Sequence, residues 1–207
     1  MTNYHNDNLF SISGKNILVT GSSGQLGDLI CKELAKRGAI VFGLDKNPNV
    51  SKNQNQNINL FEIDINDNQE ISEIFSKVRS MYGEIDVLIN NAGVNTFTSF
   101  EDRTQEQFES VINVNLKASS FMIKEFCSTI KNDNKMRHII NIASVYGIIS
   151  PNDSLYDGLD WMQSEVYAAS KGGLIQLTKF YASHLAKKNI RVNAISPGGI
   201  YNKENPQ

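Results

Sequence analysis

The 207-residue chain has no uninterrupted run of 18 apolar residues, so no segment is long and apolar enough to cross a membrane as a helix. Positive charge is not in excess. The 20 Lys and Arg stand against 22 Asp and Glu, a formal net charge of -2, which argues against nucleic acid or an anionic membrane as the main partner. Cysteine is scarce: Cys31 and Cys127 are the 2 present, each inside an apolar helical pattern. Two buried free thiols in a reducing compartment are expected. The stretch Met1 to Asn8 is polar and lacks the apolar centre of a secretory signal, so a cytoplasmic location is expected. No segment repeats and no linker divides the chain. The 40% hydrophobic content suffices for one sizeable core, and residues 1–207 read as a single domain.

Short apolar runs alternate with longer amphipathic ones, the pattern of βαβ units. Six strands are predicted: Asn16–Thr20, Ile40–Leu44, Asn59–Ile63, Asp86–Asn90, His138–Ile142 and Arg191–Ile195. They are rich in Ile, Val and Leu without polar alternation, as parallel strands covered on both faces require. Helical spacing appears at Gln25–Arg37, Gln69–Tyr82, Thr104–Lys131 and Ser164–Lys188. Thr104 with Gln107 has the form of a capping box. The asparagine-rich stretch Asn47–Asn59 reads as a surface loop. The expected product is a doubly wound α/β fold with a parallel sheet and a ligand crevice at the carboxyl ends of its strands.

The first strand runs into the first helix through Gly21, Gly24 and Gly27, with Ser23, Gln25 and Leu26 between them. Glycines at such a turn let backbone N–H groups approach a pyrophosphate at a helix N-terminus. Asp45 closes the second strand 18 residues after Gly27, where a carboxylate can accept both ribose hydroxyls of an adenosine. Its charge would repel a 2′-phosphate, which favours NAD over NADP, although Lys46 beside it softens that preference. Asp64, with Ile65 after it, closes the third strand. It suits either the adenine amino group or the cap of the following helix.

Of the 7 tyrosines, only Tyr167 has a lysine four residues on, Lys171, and i and i+4 side chains share a helix face. A free phenol titrates near 10 and needs about 4 kcal/mol of help to exchange protons near neutral pH. An ammonium about 4 Å away supplies about that much at an effective dielectric of 20. Ser144 ends the fifth strand, where its hydroxyl can orient a carbonyl or carbinol or simply cap a turn.

These motifs, together with Asn90-Asn91-Ala92-Gly93, Asn113-Val114-Asn115 and Arg191-Val192-Asn193-Ala194-Ile195-Ser196-Pro197-Gly198, resemble the short-chain dehydrogenase/reductase family over essentially the whole chain. The resemblance implies a Rossmann-type fold and a nicotinamide cofactor. It makes Tyr167 the general acid/base and Lys171 the group that lowers its pKa and holds the nicotinamide ribose. Ser144 would stabilise the reacting oxygen, and Asn115 would hold a water. Asn91, Ala92 and Gly93 would line the ribose, with Pro197, Gly198 and Ile200 at the carboxamide. No metal is implied. A homodimer or homotetramer built through the two longest helices is.

The chain departs from the family in three places. Its glycine spacing resembles the extended branch of epimerases and dehydratases, whereas Asn90-Asn91-Ala92-Gly93 and Ser196-Pro197-Gly198-Gly199 belong to the single-domain reductases. The interval from Ser144 to Tyr167 is longer than is usual. The added segment offers Tyr156 and Trp161 as stacking faces, beside Tyr146, and Asp153, Asp157 and Asp160 as acceptors. Aromatic faces beside carboxylates suit a polyhydroxylated substrate such as a sugar, although an ordinary surface loop remains an alternative. The phrasing of this region also resembles a bacterial group, flagellin modification protein A, which acts in making nucleotide-activated sugars for surface glycans. Finally, the family's substrate lid and seventh strand are expected beyond Gln207, so the C-terminal part reads as missing.

The expected activity is NAD-dependent hydride transfer at a hydroxyl or ketone carbon of a sugar or sugar nucleotide. An NAD-recycling epimerase or dehydratase and a non-catalytic dinucleotide-binding module are the alternatives.

Overall fold

Alternation across the sheet explains why the strand sequences are apolar throughout. Along Asn16–Thr20 (β1), Leu18 packs into one core cluster while Ile17 and Val19 pack into another. Along Ile40–Asp45 (β2), Phe42 and Leu44 join Leu18, and Val41 joins Ile17. Successive side chains leave a strand on opposite faces, so a sheet covered on both sides needs apolar residues at every position.

The computed structural model describes residues 10–49, 55–130, 135–156 and 163–201. Four further strands, Ile58–Glu62 (β3), Val87–Asn90 (β4), Arg137–Ile142 (β5) and Ile190–Ile195 (β6), complete a six-stranded parallel sheet ordered β3-β2-β1-β4-β5-β6. This is the expected Rossmann-type α/β architecture, with strand ends within a residue of those read from sequence. The helix Gln25–Lys36 (α1) covers one face, where Cys31 and Ala35 meet Val19 and Ile89. The helix Asn68–Tyr82 (α2) covers the other, with Phe75 and Val78 beside Leu88 and Phe126. Phe42, Phe75 and Phe126 are fully enclosed, each contributing about 1.5–3 kcal/mol over an exposed position. The chain order reverses between β1 and β4, which opens the crevice at their carboxyl ends.

The third predicted helix is not continuous. It starts as expected at the Thr104–Gln107 capping box and runs over Gln105–Ile112 (α3). Asn113–Ala118 then takes π-helical geometry before α-helix resumes at Ser119–Ser128 (α4). Periodicity cannot reveal such an insertion. Its physical correlate is Asn115, whose buried amide accepts from the Val94 N–H at 2.8 Å and donates to the Val94 carbonyl at 2.9 Å. Lys131 lies outside the described residues. The last helix covers Glu165–Leu185 (α5), with Ser164 as its N-cap and a 3-10 turn over Ala186–Lys188.

Both cysteines are free. Cys31 is buried and Cys127 only half-buried. Burial pushes the Cys31 thiol up to about 12 and the Cys127 thiol up to about 11. Neither is a thiolate near neutral pH.

Candidate active site

The glycine turn is held by its neighbours across the sheet. Gly21 sits at φ +66°, a conformation that side chains disfavour. A Cβ on Gly27 would fall 2.0 Å from the Gly21 carbonyl oxygen, so the turn closes only without one. The Asn91 amide donates to the Thr20 and Gly21 carbonyls at 3.0 Å each, and the Thr20 hydroxyl accepts the Asn91 and Ala92 N–H groups. Asn91 therefore fixes the cradle as well as lining it. Asn90 faces the core instead, where its amide donates to Asn141, which in turn donates to Thr178. Gly24 caps α1 without a side-chain bond, so the first helical amides stay available to an anion.

A crevice of about 820 Å³ runs from this turn to α5. Gly21, Gln25 and Leu26 line one end with Asp45, Asp64 and Ile65. Asn91, Ala92 and Gly93 line the middle. Ser144, Tyr167 and Lys171, with Pro197, Gly198 and Ile200, line the other end. Ser23 does not line it: its N–H goes to the Asp45 carboxylate at 2.9 Å, and its hydroxyl accepts the Asn49 N–H. The second Asp45 oxygen accepts the Asn47 N–H. Asp64 does not cap α2, a role taken by Asp67. Its carboxyl is held below its ordinary range by the Asn66 N–H and by Lys46, whose ammonium lies 3.0 Å away.

At the far end, Ser144 is buried in extended backbone. Its hydroxyl accepts the Tyr146 N–H at 3.2 Å, capping a short 3-10 turn, and also hydrogen-bonds the Tyr167 phenol. The same hydroxyl thus caps the turn and meets the phenol. Two backbone bonds, Ala143 to Ile195 and Val145 to Pro197, hold this turn against the end of β6. Lys171 is 3% exposed and donates to the Ile142 carbonyl at 2.7 Å. A Cβ on Gly93 would lie 3.4 Å from the Lys171 ammonium and 3.5 Å from the Asn115 carbonyl oxygen, so these two groups converge there. Asn115 also donates to Ser170 at 3.0 Å.

One electrostatic expectation is corrected. The Lys171 ammonium stands 5.7 Å from the Tyr167 ring centre. Burial raises the Tyr167 phenol above its ordinary range, and the Ser144 bond only partly offsets that. Burial also lowers Lys171 to about 8. Desolvation outweighs charge proximity when the ammonium is itself half neutral near that pH.

Tyr146 and Tyr156 join each other, hydroxyl to hydroxyl at 2.8 Å, and do not line the crevice themselves. Trp161, Asp157 and Asp160 lie outside the described residues. Among the lining residues that escaped sequence reasoning are Asn95, two positions past the Asn90–Gly93 motif, and Gln163, just before the Ser164 cap. The Asn95 amide donates to the Gln163 carbonyl oxygen at 2.7 Å. Among the described residues, no cluster of three or more His, Cys, Asp or Glu is arranged to hold a metal.

A family model described as short chain dehydrogenase matches residues 15–205. A 3-oxoacyl-(acyl-carrier-protein) reductase of Thermotoga maritima is 32% identical over 197 residues, covering 91% of this chain and 75% of that protein. The protein of the same name in Escherichia coli is 32% identical over 196 residues, covering 92% of this chain and 75% of that one. A short chain dehydrogenase from Leptospira borgpetersenii with bound NAD+ superposes with a TM-score of 0.89 at 33% identity, over 100% of this chain and 77% of that one. A 4-hydroxyisoleucine dehydrogenase complexed with NADH follows at 0.78 and 30%, over 92% of this chain and 78% of that one.

Proposed function

Because the chain belongs to the short chain dehydrogenase family, we propose that it is an NAD-dependent oxidoreductase acting at a hydroxyl or ketone carbon of a sugar or sugar nucleotide. The observation that carries this reading is one crevice that joins the glycine turn and Asp45 at one end to Ser144, Tyr167 and Lys171 at the other. The donor set fits a dinucleotide. Open amides at α1 suit a pyrophosphate, Asp45 suits a ribose diol, and Lys171 with Asn91 to Gly93 suits the second ribose. When bound, the nicotinamide accepts or supplies the hydride. Tyr167 moves the proton at its phenol oxygen, Ser144 orients the reacting oxygen, and Asn115 holds the π-helical segment that keeps Lys171 and the Val94 loop in place.

The sugar reading is supported by the aromatic and carboxylate content of the segment between Ser144 and Tyr167, and by its resemblance to the flagellin modification group. A second reading, a 3-oxoacyl thioester, is favoured by the names of the 32% identical relatives. Asp45 supports NAD over NADP under either reading. Phe108, on α3, and Phe180, on α5, are exposed apolar residues that support assembly into a homo-oligomer through those helices.

The test is a titration of the purified chain with NADH and with NADPH, followed by nicotinamide fluorescence. Saturable NADH binding with weaker NADPH binding is expected. Turnover is then screened with sugar nucleotides against an acetoacetyl thioester. Binding of neither cofactor overturns the proposal, and turnover of the thioester alone selects the second reading.

A further inference from the structure

The amides of Asn95 and Gln163 form a pair whose polarity is fixed by their surroundings. The Asn95 carbonyl oxygen accepts from the Ser164 hydroxyl at 2.8 Å and from the Thr96 N–H at 2.8 Å. Its nitrogen must therefore be the end that reaches the Gln163 carbonyl oxygen. That leaves the Gln163 nitrogen to meet Tyr156, whose phenol it hydrogen-bonds. Tyr156 in turn meets Tyr146, and the Tyr146 N–H returns to Ser144. On the other side, Ser164 accepts the Tyr167 N–H at 3.2 Å. A chain of hydrogen bonds thus leads from Ser144 through Tyr146, Tyr156, Gln163, Asn95 and Ser164 to Tyr167. It ties the segment after β5 to the loop after β4 and to the first turn of α5.

Most of that chain's capacity is used within the protein. Each side-chain amide carries two N–H donors, and one on Asn95 and one on Gln163 has no partner among the described residues. Both residues line the same crevice as Ser144 and Tyr167. An amide donor held rigidly beside a reacting carbon discriminates strongly, because a substrate without the matching acceptor leaves it unpaired.

We infer that the Asn95–Gln163 pair is a specificity-determining element that donates to a second oxygen of the substrate, on a carbon next to the one that reacts. The inference rests on the placement of the reaction at Ser144 and Tyr167 proposed above. It selects vicinally oxygenated substrates, such as sugars and other polyols, over plain alkyl alcohols and ketones. Asn95 also positions Tyr167 through the Ser164 cap, so Gln163, one link farther from Tyr167, is the residue to vary.

The test uses two alcohols that differ by one hydroxyl, cyclohexanol and cis-cyclohexane-1,2-diol, with NAD. The full chain should prefer the diol in kcat/KM. In Gln163→Leu the ratio of diol to cyclohexanol kcat/KM should fall by about 10- to 100-fold, the range for one buried donor. Gln163→Glu keeps the acceptor that Asn95 needs and removes the donors, so it should lose the diol preference while keeping the fold. Equal use of both alcohols by the parent chain, or a preference that survives both substitutions, overturns the inference alone. NADH binding with oxidation of neither alcohol and turnover of no sugar nucleotide overturns the proposed reaction, and the inference with it.

Discussion

The Lys171 ammonium donates to the Ile142 carbonyl at 2.7 Å and lies 5.7 Å from the centre of the Tyr167 ring. The two side chains share a helix face, yet the lysine is anchored on the end of β5. Its burial lowers it to about 8, from the ordinary 10.5. Folding therefore discriminates against the lysine cation. That cost is fully present below pH 8 and fades as pH rises toward 10.5.

A stability difference should follow. Relative to Lys171→Met, the parent chain without cofactor should gain up to about 3 kcal/mol between pH 8 and 10. Urea midpoints measured at half-unit intervals would show the parent and variant curves converging or crossing as pH rises. Parallel curves would mean that Lys171 keeps its ordinary pKa.

Tyr167→Phe removes one oxygen and leaves the ring packed. Turnover should fall by about 10²- to 10⁴-fold, the usual share of a positioned general acid or base. NADH affinity should be unchanged, because the cradle is held by Asn91, Thr20 and Asp45. The comparison needs only steady-state rates and a fluorescence titration. A variant with near-normal turnover would remove Tyr167 from the chemistry.

The sheet was legible because burial on both faces forces apolar residues at every strand position, a pattern that loops do not imitate. The cradle was legible because Gly21, Gly24 and Gly27 lie between a strand and a helix, with Asp45 at the next strand end. Asn115 was found by motif, but the π-helical segment around it was not, since one inserted residue barely disturbs an apolar stripe. The pKa balance at Tyr167 failed for another reason. Sequence spacing places Lys171 near the phenol, but only packing reveals that both groups are buried and that the lysine has a carbonyl partner. Asn95 and Gln163 carry no pattern of their own, because their meaning comes from a contact 68 positions apart.

The cradle tolerates added volume unevenly. A methyl at Gly27 meets the Gly21 carbonyl oxygen at 2.0 Å and the Asn91 amide at 2.8 Å, both fixed by backbone or hydrogen bonds. Gly27→Ala should therefore cost about 1–3 kcal/mol and weaken NADH binding together with stability. A methyl at Gly198 meets nothing within 4 Å, although both residues line the same crevice. Gly198→Ala should leave the melting temperature unchanged. Equal losses in the two variants would mean that the close approach at Gly27 does not decide the turn.

Cofactor preference should divide between Asp45 and the Lys46–Asp64 pair. Asp45 holds the Ser23 N–H and carries the charge that opposes a 2′-phosphate. Lys46, the nearby cation on the crevice wall, is occupied by Asp64 at 3.0 Å. That pair is exposed, so Asp64 withholds the ammonium by only about 0.2–1 kcal/mol. Asp64→Ala should accordingly raise NADPH affinity by no more than about 5-fold, the upper end of that range, with NADH little changed. Asp45→Ser should lower NADH affinity and raise NADPH affinity at once. In the double variant the released lysine faces a phosphate without the opposing carboxylate, so the NADPH gain should exceed the product of the single gains. Titrations of the four proteins with both cofactors complete the cycle, and simple additivity would mean that Lys46 and Asp45 act on different parts of the nucleotide.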